Sequence, residues 1–198
     1  MLYRFFRFLL FLIFKSIFRL EVKGKGHVPR KGGFILASNH VSNLDPTVLG
    51  VASPRVLNFM AKEELFSNRL FGWLISSVGS FPVRRNSTDI SALREAIQRL
   101  KDGRALLLFP QGTRRDTEGT SEKVESGIGF LAGKVNVPVV PAFIKGTEKA
   151  LPKGAKFIRL AKLSVRFGEQ IYIERGLPYQ DTAQLIMAKI RDLSCEVT

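Results

Sequence analysis

Short apolar, β-branched runs recur along this chain after residue 20, and the stretches between them carry helical periodicity. That alternation restricts the chain to an α/β domain built on a central sheet. Strands are predicted at 34–38, 56–61, 81–84, 105–109, 137–144 and 163–167, and helices are predicted to begin near Asp45, Glu63, Thr88, Ser126 and Thr182. Asp45-Pro46 joins a capping carboxylate to a proline at the first helical position. The helix from Thr88 places Ile90, Leu93, Ile97 and Leu100 on one stripe and stops at Asp102-Gly103. Val137-Pro-Val-Val-Pro141 reads as a strand whose prolines limit ladder pairing, which predicts an edge or a site rim. Loops with chemically useful residues therefore follow strands, at the sheet edge where open α/β folds bind ligands. With 198 residues, 45% of them apolar, and no repeat, the chain is long enough for one domain with a sizeable core.

The net charge is +14, from 31 basic against 17 acidic side chains, so a partner selected by long-range attraction is anionic. Nucleic acid, an acidic membrane and phosphorylated small molecules all qualify. Residues 1–20 decide among them. Their apolar run, 8–14, lies between Arg7 and Lys15, far short of the roughly 20 residues of a spanning helix. Lys15 and Arg19 follow it and no small-residue cleavage site appears, which argues against a signal peptide. On a helix Arg4, Arg7, Lys15 and Arg19 share an arc of roughly 120° opposite a Phe/Leu/Ile face. This predicts an amphipathic helix at residues 1–20 lying in a membrane interface, ahead of a domain at 21–198; packing on the chain's own domain is the competing reading. Cys195 is the only cysteine, which excludes an internal disulfide and makes a reducing, cytoplasmic setting the default. The expected location is the cytoplasmic face of a membrane, peripheral or monotopic.

Two loops carry the chemistry. His40 follows a predicted strand and precedes Asp45 by five residues, the two groups that hold a general base in its working tautomer. The other histidine, His27, sits among turn formers in Gly-Lys-Gly-His-Val-Pro-Arg-Lys-Gly-Gly and reads as part of a connector. Taken alone, a histidine beside a helix-capping aspartate is ordinary. Phe109-Pro-Gln-Gly-Thr-Arg114 then delivers a guanidinium through a Pro/Gly turn, and Gly79-Ser-Phe-Pro-Val-Arg-Arg85 ends a strand with two more. Arginine suits phosphate because its planar fork bonds two oxygens at once, and glycine lets backbone N–H groups approach an oxyanion. Repetition of the strand-turn-arginine pattern favours convergence on one anion pocket over scattered surface charge. No cysteine-based metal cluster is available.

In order, Asn39-His40-x4-Asp45, Gly79-x-Phe81-Pro-Val-x-Arg85, Phe109-Pro-Gln-Gly-Thr-Arg114 and Val137-Pro-Val-Val-Pro141 resemble the blocks of the PlsC-type 1-acylglycerol-3-phosphate (lysophosphatidate) acyltransferases. Met60-Ala-Lys-Glu-Glu-Leu-Phe66 is similar to the segment that follows their first block. The resemblance covers about residues 20–170. It implies a single-domain glycerolipid acyltransferase-like fold, a mixed central sheet flanked by helices, and transfer of a fatty acyl group from acyl-CoA or acyl-carrier protein to lysophosphatidate at an acidic membrane surface, with no cofactor. It assigns His40 as general base and Asp45 as its orienting partner. Lys62 and Arg114 become the phosphate contacts, Arg85 and Gly112 shape the pocket, and Gln111 and Thr113 complete the substrate-binding set. The apolar stretch 65–78, with Phe66, Leu70, Phe71, Trp73 and Leu74, is either an acyl tunnel or a core helix. One position departs from the family, Gln111, where glutamate is usual. Direct transfer is expected, because the Gly-x-Ser-x-Gly elbow of an acyl-enzyme mechanism is absent. Another lysolipid acceptor and a catalytically silent lipid-binding homologue fit the same features. A nucleic-acid-binding module is a less favoured alternative, supported by the charge and by Arg-Phe alternation at the N-terminus, but no nucleic-acid motif accompanies them.

Overall fold

The computed structural model of the chain describes residues 2–84, 89–112, 124–174 and 176–195, with side chains from residue 7 onward. In chain order the elements are α1 (Leu2–Ser16), β1 (Glu21–Lys23), β2 (Phe34–Ser38), α2 (Asp45–Ala52), β3 (Leu57–Lys62), α3 (Arg69–Ser77), β4 (Ser80–Val83), α4 (Ile90–Lys101), β5 (Ala105–Leu108), α5 (Gly127–Val135), β6 (Val139–Lys145), α6 (Thr147–Ala150), β7 (Ser164–Phe167) and α7 (Tyr179–Cys195). The strands form one sheet in the order β1-β7-β6-β2-β5-β3-β4. From β6 to β4 the neighbours are parallel. β7 joins β6 antiparallel and β1 joins β7 parallel, which makes the sheet mixed.

All five residues of β2 are buried. Successive strand side chains point to opposite faces. Phe34 and Leu36 therefore enter one core with Val48, Leu49 and Val51 of α2, whereas Ile35 and Ala37 enter a second core with Leu100, Leu131, Ile186 and Ile190 from α4, α5 and α7. A strand covered on both faces has no polar side to present, which explains its continuous apolar run.

The first core also receives the end of the N-terminal segment. Phe14, Phe18 and Leu20 are buried in it, and the Arg7 guanidinium donates to Ser53 O at the end of α2. Elsewhere on α1, Phe8, Leu9, Leu12 and Ile13 are exposed. Among the described residues no helix is long and apolar enough to cross a membrane.

Several expectations need correction. β6 is an interior strand, paired with both β2 and β7. Its proline is tolerated because Val139 N–H turns away from β2 to Ile171 O, as the N–H of residue 141 would two positions on. The β6–β7 ladder begins only at Ala142, so Pro141 removes no ladder bond, and its carbonyl still accepts from Gly168 N. On α4 the buried face is Ala92, Ala96 and Leu100, with Leu93 and Ile97 packed beside it, while Ile90 is exposed. Small alanines let that face approach the sheet. α3 is not a core helix either: only Gly72 is buried, and Leu70, Phe71, Trp73 and Leu74 are exposed.

Candidate active site

Asn39 and His40 leave β2 at its C-terminal end, and Phe109 to Gly112 leave β5 beside it. The chain passes from β2 to β3 on one side, but from β5 to β6 on the other. The adjoining ends of β2 and β5 thus form a switch point, the position where open α/β sheets bind ligands.

The sequence spacing of His40 and Asp45 becomes a direct contact. His40 Nδ1 lies 2.8 Å from Asp45 Oδ2. The same oxygen accepts from Val41 N at 2.7 Å and from Ser42 N at 2.8 Å. An ionised carboxylate only accepts, so Nδ1 carries the proton and Nε2 holds the lone pair in the neutral ring. Asp45 is 0% exposed and His40 9%. The imidazole stacks on Phe109, with centroids 4.0 Å apart and the planes 17° from parallel. Stacking and the carboxylate bond together fix ring orientation, and among the described residues Nε2 has no hydrogen-bond partner. Asp45 is at the start of α2, yet its side chain makes no cap bond to that helix. It reaches back to the histidine loop, and the start of α2 relies instead on Pro46.

Neighbouring side chains hold this loop in place. Asn39 Nδ2 donates to Ile144 O at 2.9 Å and its Oδ1 accepts from Ile144 N at 2.8 Å, a two-point clip across to β6. Ser42 Oγ donates to Leu151 O at 2.8 Å. Gln111 Oε1 accepts from His40 N at 3.0 Å, tying the end of the β5 loop to the backbone of the histidine. Asn39, Ser42 and Phe109 were not singled out for these roles by the sequence. Asn39 stands beside the histidine in the Asn39-His40-x4-Asp45 block, but its partner on β6 is 105 residues away.

Phe109-Pro110-Gln111-Gly112 closes as a turn in which Gly112 N donates to Phe109 O at 2.9 Å. Gly112 has φ +66°, which favours glycine, and a Cβ there would meet Glu125 Cγ at 2.8 Å unless that side chain shifted. Its amide is already committed to Phe109. That N–H is therefore not free for an oxyanion in this arrangement. Lys62 ends β3 on the same sheet edge and is exposed. Arg84 does not converge on the pocket: its Nε pairs with Glu63 Oε2 at 3.0 Å, and this hydrogen bond raises the guanidinium pKa. Arg85, Thr113 and Arg114 lie outside the described residues.

What the arrangement can do chemically is accept a proton at Nε2 from a hydroxyl brought to the sheet edge, while the buried carboxylate stabilises the resulting imidazolium. Comparison with known proteins agrees with the fold. Residues 19–145 match the family model described as Acyltransferase. A 1-acyl-sn-glycerol-3-phosphate acyltransferase of Bacillus subtilis (strain 168) is 31% identical over 156 residues, 77% of this chain and 74% of that protein. One from Streptococcus pneumoniae is 35% identical over 71% of this chain, which spans only 50% of that protein's length. A lyso-ornithine lipid O-acyltransferase of Pseudomonas aeruginosa is 33% identical over 79% of this chain and 60% of its own. The crystal structure of the 1-acyl-sn-glycerophosphate (LPA) acyltransferase PlsC from Thermotoga maritima superposes with a TM-score of 0.68 at 25% identity, covering 95% of this chain and 81% of that one. With the family model matched from just before β1 to the end of β6 and the histidine block at the switch point of the sheet, the chain belongs to the PlsC-type 1-acylglycerol-3-phosphate acyltransferase family.

Proposed function

We propose that the protein transfers a fatty acyl group from a thioester, acyl-CoA or acyl-carrier protein, to the free hydroxyl of lysophosphatidate, forming phosphatidate. The 2.8 Å contact between His40 Nδ1 and Asp45 Oδ2 is the observation that carries the reading. Nε2 takes the hydroxyl proton as the alkoxide oxygen attacks the thioester carbonyl. The tetrahedral intermediate collapses by breaking the C–S bond, and the proton passes from the imidazolium to the departing sulfur. A thiolate whose conjugate acid has a pKa of about 8.5 leaves without a strong general acid. Lys62 and Arg114 hold the phosphate, Arg85, Gln111, Gly112 and Thr113 complete the pocket, and the exposed face of α1 rests on an acidic membrane at its cytoplasmic side.

Similarity to the Pseudomonas enzyme favours a second reading, in which the acceptor is a different lysolipid. A thiol-release assay decides between them. Both donors are supplied against lysophosphatidate, a lyso-ornithine lipid and an uncharged lysolipid. Lysophosphatidate should give the highest kcat/KM, and folded His40→Ala should turn over about 10² to 10⁴ more slowly, the range for loss of general-base catalysis. A folded His40→Ala protein that keeps most activity would overturn the mechanism. Preference for a phosphate-free acceptor would overturn the substrate assignment.

A further inference from the structure

We propose that the segment joining α6 to β7, residues 151–163, is a second lipid-docking element that seats the rim of the active site on an acidic bilayer, separately from α1. At its outer part Phe157 is 80% exposed, Ile158 56% and Leu160 78%. Three large apolar side chains exposed within four residues are uncommon on a surface with no partner. They are interleaved with charge of one sign. Residues 145–162 hold Lys145, Lys149, Lys153, Lys156, Arg159 and Lys162 against the single acid Glu148, with Lys162 also paired to Glu21 at 2.8 Å. Alternation of cations with an aromatic and branched aliphatics fits the boundary between phosphate headgroups and acyl chains, where the cations stay at the phosphates while the apolar groups go deeper.

The display is built into the fold. Arg159 N donates to Ala150 O at 2.7 Å and closes the base of the segment. Ala155 N donates to Pro152 O at 3.0 Å across a turn in which Gly154 takes φ +83° with open space around it. Leu163 N donates to Phe18 O at 3.0 Å, and Glu21 N to Leu163 O at 3.0 Å, so the far end is fastened where the N-terminal segment enters the core. The near end is fastened to the active site: Leu151 O accepts from Ser42 Oγ, and Ser42 N donates to the Asp45 oxygen that faces His40. Seating this segment on lipid therefore sets the height of the histidine loop above the bilayer.

The inference rests on the membrane reading above but not on α1. Its test uses the fact that Trp73 is the only tryptophan. In full-length protein carrying Trp73→Phe, a reporter is introduced by Leu160→Trp, or by Leu185→Trp on α7 as a control. Each protein is mixed with phosphatidylcholine/phosphatidylglycerol vesicles containing chain-brominated lipid, and with phosphatidylcholine vesicles alone. The position-160 reporter should be quenched in the acidic vesicles and the position-185 reporter should not. Phe157→Ser with Leu160→Ser should lower the vesicle partition coefficient by about tenfold or more, with an unchanged melting temperature. Protein that binds the vesicles with the position-160 reporter unquenched overturns this proposal and leaves the α1 reading standing. Failure of the full chain to bind overturns both. Saturable shifts of the position-160 emission by acyl-carrier protein, with none by vesicles, would assign the segment to an acidic protein and overturn the lipid assignment.

Discussion

Replacing Gln111 separates two jobs that its position could perform. Its Oε1 accepts from His40 N at 3.0 Å, and a backbone N–H can be accepted only by the amide oxygen, which fixes the orientation of the side chain. If holding the histidine loop is the whole job, Gln111→Glu keeps an acceptor of the same reach. Turnover should then change by less than about tenfold, an energetic difference under roughly 1.4 kcal/mol. Gln111→Ala removes the acceptor and leaves a partly buried N–H without a partner, at a cost of about 1–3 kcal/mol. For a chain of this length that corresponds to a fall in Tm of roughly 2–12 °C. The released loop should also lower kcat by about tenfold or more, because the imidazole loses one of its positional restraints. Thermal unfolding and thiol release, measured on the same preparations, read both effects. A Gln111→Ala protein that melts and turns over like the parent would show that the bond holds nothing. If Gln111→Glu instead converts an inert protein into an active one, a carboxylate is required at this position and Gln111 marks a catalytically silent member of the family.

Three further outcomes follow from contacts around the site and the sheet. Asp45→Asn should lower kcat by about 10² or more, since an amide oxygen in the place of Oδ2 lacks the charge that stabilises the imidazolium, and its NH2 would sit where Oδ1 is buried without a partner; near-parental turnover in a pre-steady-state assay would refute the orienting role. Asn39→Ala should destabilise the fold by about 2–4 kcal/mol in urea unfolding, because both backbone groups of Ile144 lose their partner at a buried position, and a loss below about 0.5 kcal/mol would refute the clip. Asp89 is held well below the usual carboxylate range by its hydrogen bond to Ser91 and by the Arg84 and Ala92 amides. A depressed folded pKa stabilises above the unfolded value of about 4 and loses that contribution as pH falls, so Asp89→Ala should lower Tm at pH 7 and have less effect at pH 2.5; an equal effect at both would refute the assignment.

Local chemistry made much of this protein readable in one dimension. Strand β2 at 34–38 is where its apolar run places it, and β3, β4, β5 and β7 begin or end within a residue or two of the expected bounds. Buried parallel strands leave continuous apolar runs, and Asp-Pro and Pro-Gln-Gly turns impose their own backbone geometry whatever surrounds them. For the same reason His40 and Asp45, separated by one loop, could be paired from their spacing. β1 escaped notice because three residues, two of them charged, carry too little pattern; its pairing with β7 comes from a segment more than 140 residues away. Pro141 suggested an edge, yet whether a missing N–H matters depends on which neighbour that N–H would face, and strand order decides this. Phe14 and Phe18 look like Phe8 in sequence, but the end of α1 and the turn after it bring the first two into the core while the third stays in water. Asn39 to Ile144, Gln111 to His40 and Ser42 to Leu151 likewise join loops that adjoin only after the sheet has assembled. The sequence by itself determined the class of fold and the pairing of His40 with Asp45, because both depend on near neighbours. Tertiary structure decided the restraints on that histidine and the side of the molecule that presents its apolar residues to solvent, because hydrogen bonds and burial between distant segments have no local signature.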